Sequence, residues 1–356
     1  MTNKTELTPQ GRALLIGSLP VDNYDQALRM IMAHTPEIPL WPQLPSNPLE
    51  RMLNQFVEGL PGLFETEGST WFDLDTPDFE AEQLAFYEEY LRVSEDHSQL
   101  LNSGFAISDK RAKGIYALRD SLRQTSPVAV KGQITGPFTL LTGLHDKDHK
   151  LGYYNPEFRD IAVKNLAMKA TWQVEFLRDS QPVIIFIDEP ALAGLGSSAF
   201  ISIAQEDIAQ DLTEVIGAIQ QSGGLAGIHV CANTDWPFLL SVGLDILSFD
   251  SYGYFDRLIA CKSDVHAFLD KGGIIAWGIV PTANEKLIAE ETAASLARRW
   301  ERQVEQLCGG NWDRNAILKR SLITPSCGTG ALPLAAAEAV LRLTGETSKL
   351  ITNIKK

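Results

Sequence analysis

The sequence predicts an α/β fold, a single (β/α)8 barrel of the TIM type over residues 1–356 with a small N-terminal extension or hairpin. Three observations carry this. Eight short apolar runs have strand length, a helix-spaced segment follows nearly every run, and titratable residues collect where the runs end. Strands alternating with helices argue for a parallel sheet with right-handed crossovers. Eight repeats favour closure, with an open doubly wound sheet as the alternative. On such barrels the active site lies at the C-terminal ends of the strands.

The run ALLIGSLP (13–20) reads as a buried strand ending in a turn, and helical spacing follows over 22–34. IPLWPQLP (38–45) is a short extended run ended by prolines. PLERMLNQFVEGL (48–60) has helical spacing and a proline at its start, where the missing N–H costs nothing. TEGSTWFDLD (66–75) reads as a turn and an extended segment, a small hairpin. Helices are predicted over 79–101 and 110–123, a strand and glycine-bounded loop over 128–137, and a long helix over 155–179. VIIFIDEPAL (183–192) is the most apolar strand candidate. There follow helix 208–222, strand 224–231, short helix 236–242, strand 245–250, helix 263–271, strand 273–281, helix 290–308, strand 321–328 and helix 332–343.

Bulk properties exclude some classes. A hydrophobic content of 44% with 21% charged residues is ordinary for a soluble globular protein. No apolar run reaches spanning length and the N-terminus lacks a signal-like apolar region, so a cytoplasmic protein without a membrane partner is expected. A net charge of -14 with no basic stretch argues against nucleic acid. It also repels polyanionic small molecules unless a local basic pocket receives them. The four cysteines, Cys231, Cys261, Cys308 and Cys327, are read as thiols.

The chemistry concentrates in GIHVCANTDWPFLLSVGLDILSFD (227–250) and in ITPSCGTG further on. His229 and Cys231 stand two apart on a strand end and point to one side. Asp250 ends the next apolar run and Cys327 the last one. An imidazole, two thiolates and a carboxylate at strand ends suit zinc with one exchangeable position. The bland alternative is a buried histidine beside ordinary cysteines. Asp188 and Glu189 follow the most apolar run. They are read either as a ligand for a substrate ammonium or as a helix cap or ion-pair partner. Ser18, in a glycine-bounded turn, offers loop N–H groups to an anion or is a plain strand-to-helix turn. Glu50, taken alone, is a dipole-complementing surface residue. Trp41, Trp71, Trp236 and Trp277 either wall a pocket or pack in the core. His145 and His149 fall in an expected solvated loop.

The run IGSLP, PLER, IDEPAL, HVC, LSFD and PSCG, in this order, resembles the catalytic barrel of cobalamin-independent methionine synthase. The wording around His229 also resembles the uroporphyrinogen decarboxylase-like methyltransferases, which move a methyl group from a methylated corrinoid to a thiol. The resemblance implies His229, Cys231 and Cys327 as zinc ligands. Asp250 stands where those synthases have a glutamate ligand, and its shorter side chain leaves direct ligation, a water-mediated contact and a supporting role open. Asp188 would hold the amino group of a homocysteine-like substrate, with Glu50 as a second acidic contact and Ser18 meeting the carboxylate through its backbone. Asp188 and Asp250 are the catalytic candidates. The folate-dependent enzymes carry a second, N-terminal barrel and a histidine after the seventh strand, and IIAWGIVPTANE has no histidine. Both departures favour a methylcorrinoid donor, delivered by a separate corrinoid protein, over a folate. The implied activity is zinc-dependent methyl transfer to a small thiol, in methionine biosynthesis. The competing readings are a decarboxylase-like lyase and a non-catalytic corrinoid- or metal-binding barrel.

Overall fold

The computed structural model describes residues 7–66, 69–123, 125–179 and 181–353. Nine strands are formed: β1 (Arg12–Ala13), β2 (Leu63–Glu65), β3 (Thr70–Phe72), β4 (Val130–Thr135), β5 (Val183–Asp188), β6 (Leu225–Val230), β7 (Ile246–Phe249), β8 (Ile274–Val280) and β9 (Ser321–Pro325). Seven of them make one curled parallel sheet in the order β1-β9-β8-β7-β6-β5-β4. The antiparallel pair β2–β3 is a small hairpin whose second strand falls in the 66–75 run expected to hold one, while its first strand precedes that run.

β4 through β9 are buried at every residue, which is why they read as continuous apolar runs and not as alternating ones. One face of the sheet collects Ile184, Phe186, Leu225, Ile246, Ile274 and Leu322 into an inner apolar cluster. The other face packs against helices such as Gln205–Gln221, whose Ile208, Leu212, Val215 and Ile219 are buried at helical spacing.

The closed eight-stranded barrel is narrowed to seven laddered strands. At the eighth position, residues 39–43 make isolated parallel bridges, Leu40 to Lys131 on one side and Gln43 to Ser18 on the other. Pro39 and Pro42 remove two backbone donors there, so no continuous ladder can form. Side chains hold the segment in place: Trp41 Nε1 donates to Gln173 Oε1 at 2.9 Å, and Gln133 Nε2 donates to the Trp41 carbonyl at 3.0 Å.

Three helix predictions need correction, the last helix running over Leu334–Asn353 and not 332–343. The 48–60 run forms only a 3-10 turn, Pro48–Glu50, which Arg51 ends in an extended conformation. Tertiary bonds override propensity there. Gln55 receives a bond from Gln43 and donates to the Arg111 carbonyl, and Glu50 accepts from the Leu44 amide. The 79–101 helix stops at Glu95, because Asp96 turns to cap the 3-10 helix His97–Asn102 with its own carboxylate. Among the described residues no helix is long and apolar enough to cross a membrane.

Candidate metal and substrate site

Strand register assembles the site. Asp188 of β5 is paired with His229 of β6, and His229 with Ser248 of β7, so the three lie in one row across the sheet. Cys231 follows two residues after His229, just past the end of its strand, and Cys327 two residues past the end of β9. Near this point the β8–β9 register shifts between Gly278 and Val280. A Cβ on Gly278 would lie 2.4 Å from the Phe249 carbonyl oxygen and 2.9 Å from the Ser326 Cα, so only glycine fits where the three strands close together.

The result is a group of three donors. One ligand atom each from His229, Cys231 and Cys327 lies within 4.8 Å of the others. His229 is buried, its Nδ1 is 3.0 Å from Ser248 Oγ, and its Nε2 has no hydrogen-bond partner. A proton on Nδ1 donated to the serine would leave the Nε2 lone pair free for a metal. Burial, with Lys131 adding to it, lowers the His229 pKa to about 3, so the imidazole is neutral as a metal ligand must be. The hydrogen bond from Cys327 lowers the pKa of the Cys231 thiol, and the same contact, with burial, raises that of Cys327. An orphaned imidazole nitrogen facing two thiols fits a soft, nitrogen- and sulfur-loving metal such as zinc.

These donors open on a cavity of about 360 Å³, whose walls include Ser18, Glu50, Arg51, Met52 and Asp188. Asp188 is 8% exposed and its Oδ1 has no hydrogen-bond partner, so a buried acceptor faces this space. Burial raises the Asp188 pKa and lowers that of Lys131, each shift opposed by the other's charge. Lys131 is fully buried and donates to the Ile16 carbonyl and to Gln133 Oε1. Ser18 meets the loop after Cys327: its Oγ accepts from the Gly330 amide at 3.1 Å and its carbonyl accepts from the Thr329 amide at 3.0 Å. A Cβ on Gly328 would fall 2.3 Å from Ser18 Oγ, so this close approach requires glycine. Both Glu50 oxygens accept bonds, one from the Tyr24 hydroxyl and one from the Leu44 amide.

Other candidates sit elsewhere. Asp250 is outside the three-donor group and caps the helix Ser251–Leu258, its Oδ1 accepting from the Gly253 amide at 2.8 Å. Burial raises its pKa to about 6 against that bond. Glu189 points away from its neighbour Asp188 and caps the helix Pro137–Gly143. Trp41, Trp236 and Trp277 are buried in the core, and Trp71 stacks on Phe64, so none walls the cavity. Sequence reading did not single out Ser248 or Met52, and gave Arg51 no role beyond its place in the PLER run. Ser248 becomes visible only through the β6–β7 register, and the others only through the failed helix at 48–60.

Fold and site together define an α/β protein whose strand ends carry a donor set suited to zinc. No protein-family profile matches the chain. The methionine synthase of Methanothermobacter thermautotrophicus is 26% identical over 230 residues, covering 64% of this chain and 65% of that protein. The methionine synthase of Methanothermobacter marburgensis is 26% identical over 235 residues, covering 64% of this chain and 66% of that one. The chain thus matches slightly less than two thirds of the length of each. Among solved structures, a Listeria monocytogenes protein assigned as a vitamin-B12-independent methionine synthase superposes with a TM-score of 0.51 at 13% identity, over 94% of this chain and 86% of that one. A methyltransferase from Methanosarcina mazei gives 0.51 at 15% identity, over 95% and 96%. At these identities the structures show the shared fold. The chain is thus similar in sequence to methionine synthases, the family that its motifs resemble.

Proposed function

We propose that this protein is a zinc-dependent methyltransferase that carries a methyl group from a methylated corrinoid, or a folate-type donor, to a small thiol such as homocysteine. The observation that carries the reading is the gathering of His229, Cys231 and Cys327 within 4.8 Å on the wall of a cavity that is also lined by Asp188, whose Oδ1 has no hydrogen-bond partner. Zinc held by these three residues would supply Lewis acidity, keeping an acceptor thiol ionised near neutral pH. The Asp250 carboxylate adds negative charge near Cys231.

The remaining work falls to the chain. Asp188 receives the ammonium of an amino-acid thiol, with Glu50 as a second acidic contact, and the cavity fixes the sulfur for in-line attack. The sulfur forms a bond to the methyl carbon while the donor keeps the electron pair of the broken bond. A corrinoid donor agrees with the acidic net charge, which disfavours a folate with its anionic tail.

The test follows corrinoid absorbance with methylcobalamin and L-homocysteine, before and after zinc removal by a chelator. Demethylation that needs both zinc and thiol is expected. Corrinoid binding without demethylation would reduce the protein to a binding module, and demethylation indifferent to zinc would end the metal reading. Ser248→Ala should weaken zinc binding about 10–100-fold, because the imidazole loses the bond that fixes its tautomer. Competition with a chromogenic chelator measures this, and unchanged affinity would remove Ser248 from the site.

A further inference from the structure

We propose that Arg51 anchors the carboxylate of the acceptor, so that the site selects an α-amino-acid thiol over thiols without a carboxylate. The inference rests on the acceptor cavity described above and names the group that reads the substrate's anionic end.

Arg51 is the one lysine or arginine among the described residues lining that cavity, whose other charged walls are the acids Glu50 and Asp188. Its guanidinium has neither an ion pair nor a hydrogen-bond partner among the described residues. Other arginines are committed to acids, as Arg111 is to Glu65 and Arg159 to Asp211. The backbone beneath Arg51 is nevertheless fixed. Its amide donates to the Pro48 carbonyl, and its own carbonyl accepts from the amides of Asn54 and Gln55. A held backbone thus places an exposed arginine on the cavity wall, and its fork of donors suits a carboxylate.

Charge makes the same point. In a chain of net charge -14, an anionic group reaches the cavity only where a local cation offsets the field. Two acids and one guanidinium around a space of about 360 Å³, at the small end of ligand pockets, complement a zwitterion with one ammonium and one carboxylate. A second backbone donor is close at hand. The Ser18 amide, on the same wall, makes no bond to the described chain.

The test uses binding, which needs neither zinc nor methyl donor. Calorimetry compares L-methionine with 3-(methylthio)propylamine, the same molecule without its carboxylate, on wild type, R51Q and R51K. Wild type is expected to prefer methionine. R51Q should bind methionine about tenfold or more weakly, the loss of a charge-assisted hydrogen bond, and should bind the amine as wild type does. R51K, which keeps the charge and loses the fork, should fall between. Equal methionine affinity in R51Q and wild type overturns the proposal, and so does a wild type that binds both compounds alike or binds neither. Because zinc content and methyl transfer are measured separately, an intact binding preference in a protein without transferase activity would retain the anchor and remove the catalytic reading.

Discussion

Cys327→Ser protein, purified without added metal, is expected to carry less than about a tenth of the wild-type zinc and to lose methyl transfer by more than about 100-fold. The reason lies in the donor set. Three atoms gather within 4.8 Å, and removing one thiolate leaves an imidazole and a single sulfur, too few to hold zinc against solvent. The serine hydroxyl nearly matches the thiol in size but stays protonated near neutral pH. Cys231→Ser should behave alike. Cys261→Ser and Cys308→Ser are the controls, since neither residue belongs to the group, and both should keep their zinc. Metal analysis of the four variants decides the matter. Full zinc in Cys327→Ser would show that the three residues meet for another reason.

How much of this was legible in the sequence differs by level. The parallel strands were readable because β4 through β9 are buried on both faces and stand out as unbroken apolar runs. The convergence of His229, Cys231 and Cys327 was readable because all three stand at strand ends, which have a defined place in such sheets. Closure was not readable. The 38–45 run looks like a strand, and its prolines turn the eighth position into isolated bridges. The helix at 48–60 failed for a related reason: its apolar spacing is genuine, but Gln55 and Glu50 are committed to tertiary partners, the Arg111 carbonyl and the Tyr24 hydroxyl. Asp250 shows the limit at the site. Residue type left direct ligation, a water-mediated contact and a supporting role open for it, and the bond from the Gly253 amide to its carboxylate becomes visible only in the fold. Adjacent acids were the hardest case, since nothing in the string IDEP says which carboxylate faces the cavity.

Glu189→Ala is therefore expected to destabilise the fold by about 3–5 kcal/mol, lowering the melting temperature by on the order of 10 °C, while zinc per folded chain stays at the wild-type level. Glu189 is fully buried, and its oxygens accept from the Phe138 amide at 2.9 Å, the Thr139 amide at 2.8 Å and the Thr139 hydroxyl at 2.6 Å. These amides open the helix Pro137–Gly143, so the carboxylate satisfies donors that have no partner within the helix. Space is equally tight: a Cβ on Gly136 would lie 2.1 Å from the Glu189 carboxyl carbon. Alanine removes all three bonds and leaves a void beside buried N–H groups. Glu189→Gln keeps one acceptor oxygen and turns an NH2 toward the remaining donors, so it should fall between alanine and wild type. Thermal unfolding with metal analysis of the same samples reads both quantities. A Glu189→Ala protein that melts with wild type would mean the capping bonds contribute nothing. One that keeps its stability but loses zinc would move Glu189 into the site and return the acidic pair to the ambiguity it had in the sequence.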